Sequence, residues 1–394
     1  MSKIDVLILG SGLSGSSAAM LLAQKGYQTC IVTPTGATKN HLPENWMVNY
    51  PTFISDRGLD KLLNTSFSHH NACTFCSEDG KRVTRITVDS DKENFDSGDV
   101  VNVNRDLFDQ ILLENAVSSG ACLVKFDRLL DFRMQADSVR IDLEVDRKAI
   151  SLEAPYIIDA SGKSAFLTNT LKLPSTETKL DHRLASFSHF IPHNGVSLDD
   201  MRIISIKNGY IFCIPTFTDR ISIGCVLEED AYQTPEEIFS KGLSQSSYVR
   251  YLVENSKQAI PFIPIKNIQR VCLEPYGKHY CIIGDAALFM DPFFCPGIDF
   301  AFLSAEQAVS AYQDKNYDRY REFLKTWMSE SLLSPYKKLD KSCWKSIIRL
   351  FSDPHQPSLI PIFITQALCQ LIERPIPLQK GIQLARETYE SQIY

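Results

Sequence analysis

The chain has 394 residues, 44% of them hydrophobic and 22% charged, the proportions of an ordinary globular protein, which excludes a fibrous repeat or a disordered chain. Its 41 Lys and Arg against 47 Asp and Glu leave a formal charge of −6, which speaks against a broad basic nucleic-acid surface. Eleven cysteines, odd in number and scattered, form no disulfide framework, and no run of about 18 apolar residues offers a transmembrane helix.

At the N-terminus, residues 4–9 make a nearly continuous apolar run interrupted only by Asp5. That interruption leaves no signal-peptide core, so the expectation is a cytoplasmic protein with reduced thiols. The run reads as a strand buried on both faces of a parallel sheet. Gly10-Ser11-Gly12-Leu13-Ser14-Gly15 follows, then an Ala- and Leu-rich segment to Lys25, Gly26 as a stop, and a second strand over 29–33. This G-x-G-x-x-G in a strand–turn–helix setting predicts a dinucleotide site. Gly10 allows the tight turn, Gly12 lets a pyrophosphate approach the backbone, and Gly15 lets helix and strand pack closely. The first amides of the helix, at Leu13 and Ser14, then face the phosphates. The second strand ends in Thr33 rather than an acidic residue, so the ribose is offered a single hydroxyl.

Three later segments read as further grips on a long dinucleotide. Residues 101–112 form a strand end and an amphipathic helix, with Arg105 at the helix start. Residues 157–164 form a buried strand ending in the turn Asp159-Ala160-Ser161-Gly162. Residues 281–287 form an apolar strand broken by Gly284-Asp285, and the chain continues through Asp291, Pro292 and Cys295 to Gly297-Ile298, which opens a helix. Asp285 is placed to accept a ribityl hydroxyl, and the helix amides after Gly297 are placed to face an electron-rich ring edge.

On these motifs the chain resembles the flavoprotein monooxygenases of the para-hydroxybenzoate hydroxylase type, and most of all their flavin-dependent halogenase branch. The marks are the glycine triplet, Arg105-x-x-Phe108-Asp109, Asp159-Ala160-Ser161-Gly162, and the run from Gly284 to Gly297. The resemblance spans residues 1 to about 325. It implies FAD, held by Gly10, Gly12, Leu13, Ser14, Gly15, Thr33, Arg105, Asp159, Gly162, Gly284, Asp285, Pro292, Gly297 and Ile298. The fold it implies is α/β: a Rossmann-type FAD-binding domain interleaved with an antiparallel-sheet substrate domain, and a helical C-terminal region. The expected boundaries are 1–178, with a substrate-side insertion near 38–100, then 179–271, a return over 272–325, and 326–394.

The branch's Trp-x-Trp-x-Ile-Pro motif reads here as Tyr210-Ile211-Phe212-Cys213-Ile214-Pro215. Both tryptophans are replaced. The early segment that carries a relay lysine in halogenases, residues 66–76 here, contains none, although Lys61 and Lys81 flank it. The expectation is therefore an FAD-dependent monooxygenase that oxygenates an electron-rich aromatic ring, indole or phenol, through a flavin C4a-hydroperoxide. The substrate is free or borne on a carrier or protein, such as a peptidyl tryptophan. The reductant is a transient NAD(P)H or a separate flavin reductase. Alternatives are a halogenase, an isoprenoid reductase of the same superfamily, or a non-catalytic FAD-binding partner in assembly or modification. His41 and Glu44, in the loop that the resemblance places against the flavin, and Cys295, beside it, are the candidate catalytic residues. His69, His70 and His189 are further candidate bases.

His69-His70-x-x-Cys73-x-x-Cys76 invites zinc, but a single Cys-x-x-Cys does not close a structural site, so packing is preferred and no metal is expected. Residues 184–190, 202–206, 210–215 and 220–227 read as strands of a half-exposed antiparallel sheet suited to roofing a substrate cavity. Residues 234–255 read as helix. The tail carries an apolar stripe from Leu359 to Leu371, broken by prolines, which reads as core packing, membrane-surface docking or a partner helix.

Overall fold

In the computed structural model the described residues are 3–36, 51–56, 58–69, 72–81, 83–87, 100–177, 183–193, 198–207, 209–216, 219–228, 234–265, 270–289 and 297–326, with the strand 44–47. β1 (Val6–Leu9) runs into α1 (Leu13–Gln24) and β2 (Thr29–Pro34). α2 (Arg105–Ser118) begins where Asn104 accepts the Leu107 amide at 3.3 Å, and β3 (Cys122–Phe126) and β4 (Tyr156–Asp159) follow. A second sheet holds β5 (Arg183–Pro192), β6 (Met201–Ile206), β7 (Gly209–Pro215) and β8 (Ile221–Glu228). It leads to α3 (Pro235–Ser244) and α4 (Ser247–Glu254). β9 (Tyr280–Ile282), α5 (Gly297–Asp314) and α6 (Tyr317–Thr326) then return to the first sheet.

That return is visible in the strand order. β9, β4, β1, β2 and β3 lie side by side, all parallel, with Tyr276–Gly277 antiparallel at the β9 edge. β1, β4 and most of β2 are buried on both faces, which is why their sequences are continuous apolar runs rather than alternating ones. α1 packs between α2 and α5 on one face. A three-stranded antiparallel sheet of Arg128–Met134, Val139–Val145 and Lys148–Ala154 contributes Ile141, Leu143 and Leu152 to the core on the other.

The second sheet pairs β5 with β8, β8 with β7, and β7 with β6, all antiparallel. The hairpin of Ala72–Cys76 and Val83–Thr87 extends it, the first strand lying parallel to β6. Alternation predicts a sheet with one face open, yet both are covered. Ile211, Ile223 and Leu227 meet Ile238 and Phe239 of α3 and Val249 and Leu252 of α4. Phe187, Met201, Ile203, Phe212 and Ile214 share one core with the nucleotide-side elements. The predicted single helix over 234–255 is two, because Ser246 accepts the Val249 amide at 3.1 Å and starts α4.

A buried ionic network clamps the hairpin to this sheet. Asp200 accepts from Thr74 Oγ1 and from Arg202 Nε at 3.2 Å, while Arg202 also reaches the Tyr248 hydroxyl on α4. Asp200 is 3% exposed. Asp200→Ala is expected to cost about 3 kcal/mol in denaturant unfolding, because it strands a partly buried guanidinium. A loss within about 0.5 kcal/mol, the range of ordinary surface changes, would show that the network contributes nothing.

Candidate functional site

The C-terminal ends of β1, β4 and β9 meet at one point of the sheet. Gly10 N–H donates to Val32 O at 2.9 Å, Ala160 N–H to Leu9 O at 2.9 Å, and Ile283 N–H to Asp159 O at 2.9 Å. Ligands of open parallel sheets bind at such strand ends. The glycines there do different things. A β-carbon on Gly10 would stand 2.3 Å from Ala160 O, and one on Gly15 would stand 2.1 Å from Gly10 O. Those two positions are filled by neighbouring backbone. Among the described residues a β-carbon on Gly12 would meet nothing within 4 Å, so Gly12 faces open space at the start of α1. Among the described residues no side chain caps α1, and no acidic residue lies in its first turn. Its amides and its positive dipole end are left for an anion. Leu13 and Ser14 sit in that turn, both buried, and Thr33 Oγ1 lies 3.0 Å from Ser11 Oγ across it.

Asp159 is 0% exposed. Its two carboxylate oxygens accept from Ser161 N–H at 2.9 Å and Leu167 N–H at 2.7 Å. Burial pushes this carboxyl up, and the hydrogen bonds at Ser161 and Leu167 oppose the shift. Through these two hydrogen bonds the side chain anchors its own turn. Gly162 in that turn has φ +62° and faces open space.

Gly284-Asp285 lies against the same point: Gly284 N–H donates to Ser304 Oγ of α5 at 3.0 Å, and a β-carbon there would meet Ser14 Oγ at 2.5 Å. Burial pushes the Asp285 carboxyl up, while Lys163, Arg105 and Arg270 pull it back. Arg105 is also chelated by Asp109, at 2.9 Å and 3.1 Å. Arg270 bridges two turns, donating to Asp285 O at 3.1 Å and Lys163 O at 3.2 Å. The Lys163 ammonium stands 4.8 Å over the Phe289 ring. Sequence reasoning missed Lys163, Arg270 and Phe289. Lys163 directly follows the Gly162 turn and was within reach of the motif, whereas Arg270 comes from a short strand with no pattern. Asp285→Ala is expected to weaken FAD binding about tenfold, the value of one hydrogen bond to a charged group, in equilibrium dialysis. Unchanged affinity would remove Asp285 from the site.

Of the remaining expected residues, Gly297 and Ile298 open α5, whose first turn also holds the buried Asp299. Glu44 lies on the strand Glu44–Met47, paired with Val100–Val103 just before Arg105; its side chain falls outside the described residues. His41, His70, Pro292 and Cys295 also lie outside them, as does the tail from 327. Cys76 is a buried thiol that desolvation pushes up to about 11. Among the described residues no group of His, Cys, Asp and Glu could hold a metal.

The second sheet reaches this site at one corner. Asn102 Nδ2 donates to Pro215 O, tying the end of β7 to the strand that leads into Arg105. From that corner the sheet presents Ile214, Phe212, Phe187, Ile203 and Met201 toward the nucleotide side. The arrangement fits FAD on the chain's own geometry: an uncapped helix start, open space at Gly12 and Gly162, and cations around Asp285 accept a pyrophosphate and its polyol.

A parallel sheet with glycine turns at three converging strand ends, closed by an antiparallel sheet, defines an FAD-dependent flavoprotein. The chain belongs to the FAD binding domain family, whose model matches residues 3–309. It is 23% identical over 333 residues to a 1H-pyrrole-2-carbonyl-[peptidyl-carrier protein] chlorinase of Pseudomonas fluorescens, covering 77% of this chain and 74% of that one. It is 23% identical to a tryptophan 2-halogenase of Chondromyces crocatus, spanning 79% of this chain and 61% of that longer one. The structure of a flavin-dependent brominase superposes with TM-score 0.77 at 18% identity, covering 99% of this chain and all of that one. These relatives place the chain in the halogenase-like branch of FAD-dependent oxidoreductases. FAD is its cofactor, and it is an enzyme. No described helix is long and apolar enough to cross a membrane.

Proposed function

We propose that the chain is a monooxygenase that transfers oxygen to an electron-rich aromatic ring. The observation that carries this reading is the apolar face of the second sheet, Phe187, Phe212, Ile203 and Ile214, joined to the cofactor corner at Asn102 and Pro215. FAD, when bound, supplies the reduction and activation of O₂. The protein's own part is to hold and to exclude. The α1 amides and Gly12 seat the pyrophosphate, Asp285 with Arg105 nearby orients the polyol, and the apolar sheet face keeps water from the ring.

Halogenation is the second reading, favoured by what the relatives act on. Against it stand Lys61 and Lys81, the lysines flanking the segment where halogenases carry theirs. Both are exposed, Lys81 at 84% beside Asp79. Lys163, near Asp285, stands on the cofactor turn and not on the substrate sheet. The pyrrole and tryptophan of the relatives also make a carrier- or protein-borne ring part of this proposal, with NAD(P)H or a separate reductase as electron source.

The test is single turnover: FAD-loaded protein is reduced, then mixed with O₂, bromide and phenol, indole or pyrrole-2-carboxamide. One oxygen gained in the product, independent of bromide, supports the monooxygenase. A bromine isotope pattern overturns it in favour of the second reading. Reoxidation with every ring unchanged counts against both.

A further inference from the structure

We propose that His189 and Ser222 are the polar anchor of the substrate site, hydrogen-bonding a ring N–H or O–H while the apolar face around them takes the ring. The inference rests on the aromatic-substrate reading and names the feature by which the substrate is recognised.

Register places the two residues together. His189 of β5 lies directly opposite Ser222 of β8, and Ser222 lies opposite Ile214 of β7. Residues opposed in an antiparallel pair project to the same face. That face is the one carrying Phe187, Phe212 and Ile214, since the residues on either side of Ser222, Ile221 and Ile223, join the core under α3 and α4 instead. The Phe187 and His189 rings are 6.0 Å apart. Pro215, next to Ile214, is the residue held by Asn102, three positions before Arg105. The pair thus sits at the corner of the sheet that touches the cofactor site.

Both groups are chemically unfinished. Ser222 is 0% exposed and its Oγ is buried without a hydrogen-bond partner among the described residues; His189 Nε2 is likewise buried without one. A serine facing the opposite side of the same sheet, Ser188, does find one, donating to Ile260 O at 2.6 Å. Buried polar atoms are normally paired, and an orphan calls for a ligand, a water or a catalytic use. Two orphans opposite each other, ringed by Phe187, Phe212 and Ile214, fit one small polar group on a flat apolar molecule. Burial and the Arg220 cation lower the His189 pKa, so the neutral imidazole is available to accept from a ring N–H or O–H.

The test compares rings that differ only in that donor. FAD-loaded protein is titrated calorimetrically with pyrrole against thiophene and with indole against benzothiophene. The wild-type chain is expected to bind the N–H ring of a pair about tenfold more tightly, the effect of one buried hydrogen bond. Ser222→Ala and His189→Phe are each expected to reduce that preference to about twofold or less while leaving the sulfur rings unaffected, and Ser222→Thr to retain it. Equal binding of both rings by the wild type overturns the inference, as does a preference that survives both variants. The wild-type comparison holds even where a variant fails to fold. Failure of every ring to bind overturns the aromatic reading itself, which separates the two ideas. A crystal structure with indole bound in which a water still bridges His189 and Ser222 also overturns the anchor.

Discussion

Gly12→Glu is expected to strip FAD from the protein while leaving the apoprotein folded. No described residue comes within 4 Å of a β-carbon built on Gly12, so a side chain there meets none of the described backbone. What it meets is the pyrophosphate, with a second negative charge added where the α1 dipole and free amides favour one. We expect at least a hundredfold weaker FAD binding, about 3 kcal/mol, in equilibrium dialysis. The melting temperature of the apoprotein should stay within a degree or two, since exposed substitutions cost about 0.5 kcal/mol or less. Gly10→Ala gives the contrast. Gly10 has φ +111° and an added β-carbon would press on Ala160 O, so that variant is expected to lose stability first and cofactor as a consequence. Stoichiometric FAD in purified Gly12→Glu would contradict the pyrophosphate assignment.

Asp159→Ala is expected to destabilise the fold by about 3 kcal/mol, read by denaturant unfolding of the apoprotein. The carboxylate serves two amides in a site with no solvent, and alanine leaves both without an acceptor. Asp159→Asn keeps one acceptor oxygen and places an amide group against the other N–H, so an intermediate loss is expected. The informative comparison is with Asp285→Ala, which should weaken FAD and spare apoprotein stability. If Asp159→Ala instead weakened FAD with no change in unfolding, the side chain would be a direct cofactor ligand after all, as its motif suggests.

That contrast marks where reading the chain succeeds. Gly10, Gly12 and Gly15 carry their roles in their spacing, because the strand–turn–helix they punctuate is local and only glycine satisfies its close approaches. Asp159 shows the limit. Its position at a strand end next to small residues suits either a ligand or a turn anchor, and the Ser161 and Leu167 amides that make it an anchor come together only through the path of the folded chain. Arg270 lies more than a hundred residues from Lys163, yet its Nη1 and Nη2 donate to the carbonyls of Lys163 and Asp285 in the two cofactor turns. No periodicity reports such a meeting. The second sheet is similar: alternation locates its strands but cannot say that helices cover one face and the nucleotide-side core the other.

The sequence by itself determined the dinucleotide turn and the order of the cofactor motifs, which depend on short-range backbone geometry that glycine and small residues alone permit; FAD followed from the family those motifs resemble. Tertiary structure showed how the chain returns to its first sheet: β9 pairs in parallel with β4, across more than a hundred intervening residues. Tertiary structure also decided which side chains share a surface. His189 and Ser222 are 33 positions apart, and their opposition is set by the register of β5 against β8. A slip of one residue would turn each to the other face. The proposed anchor depends on that register, and register is decided by packing across the whole sheet.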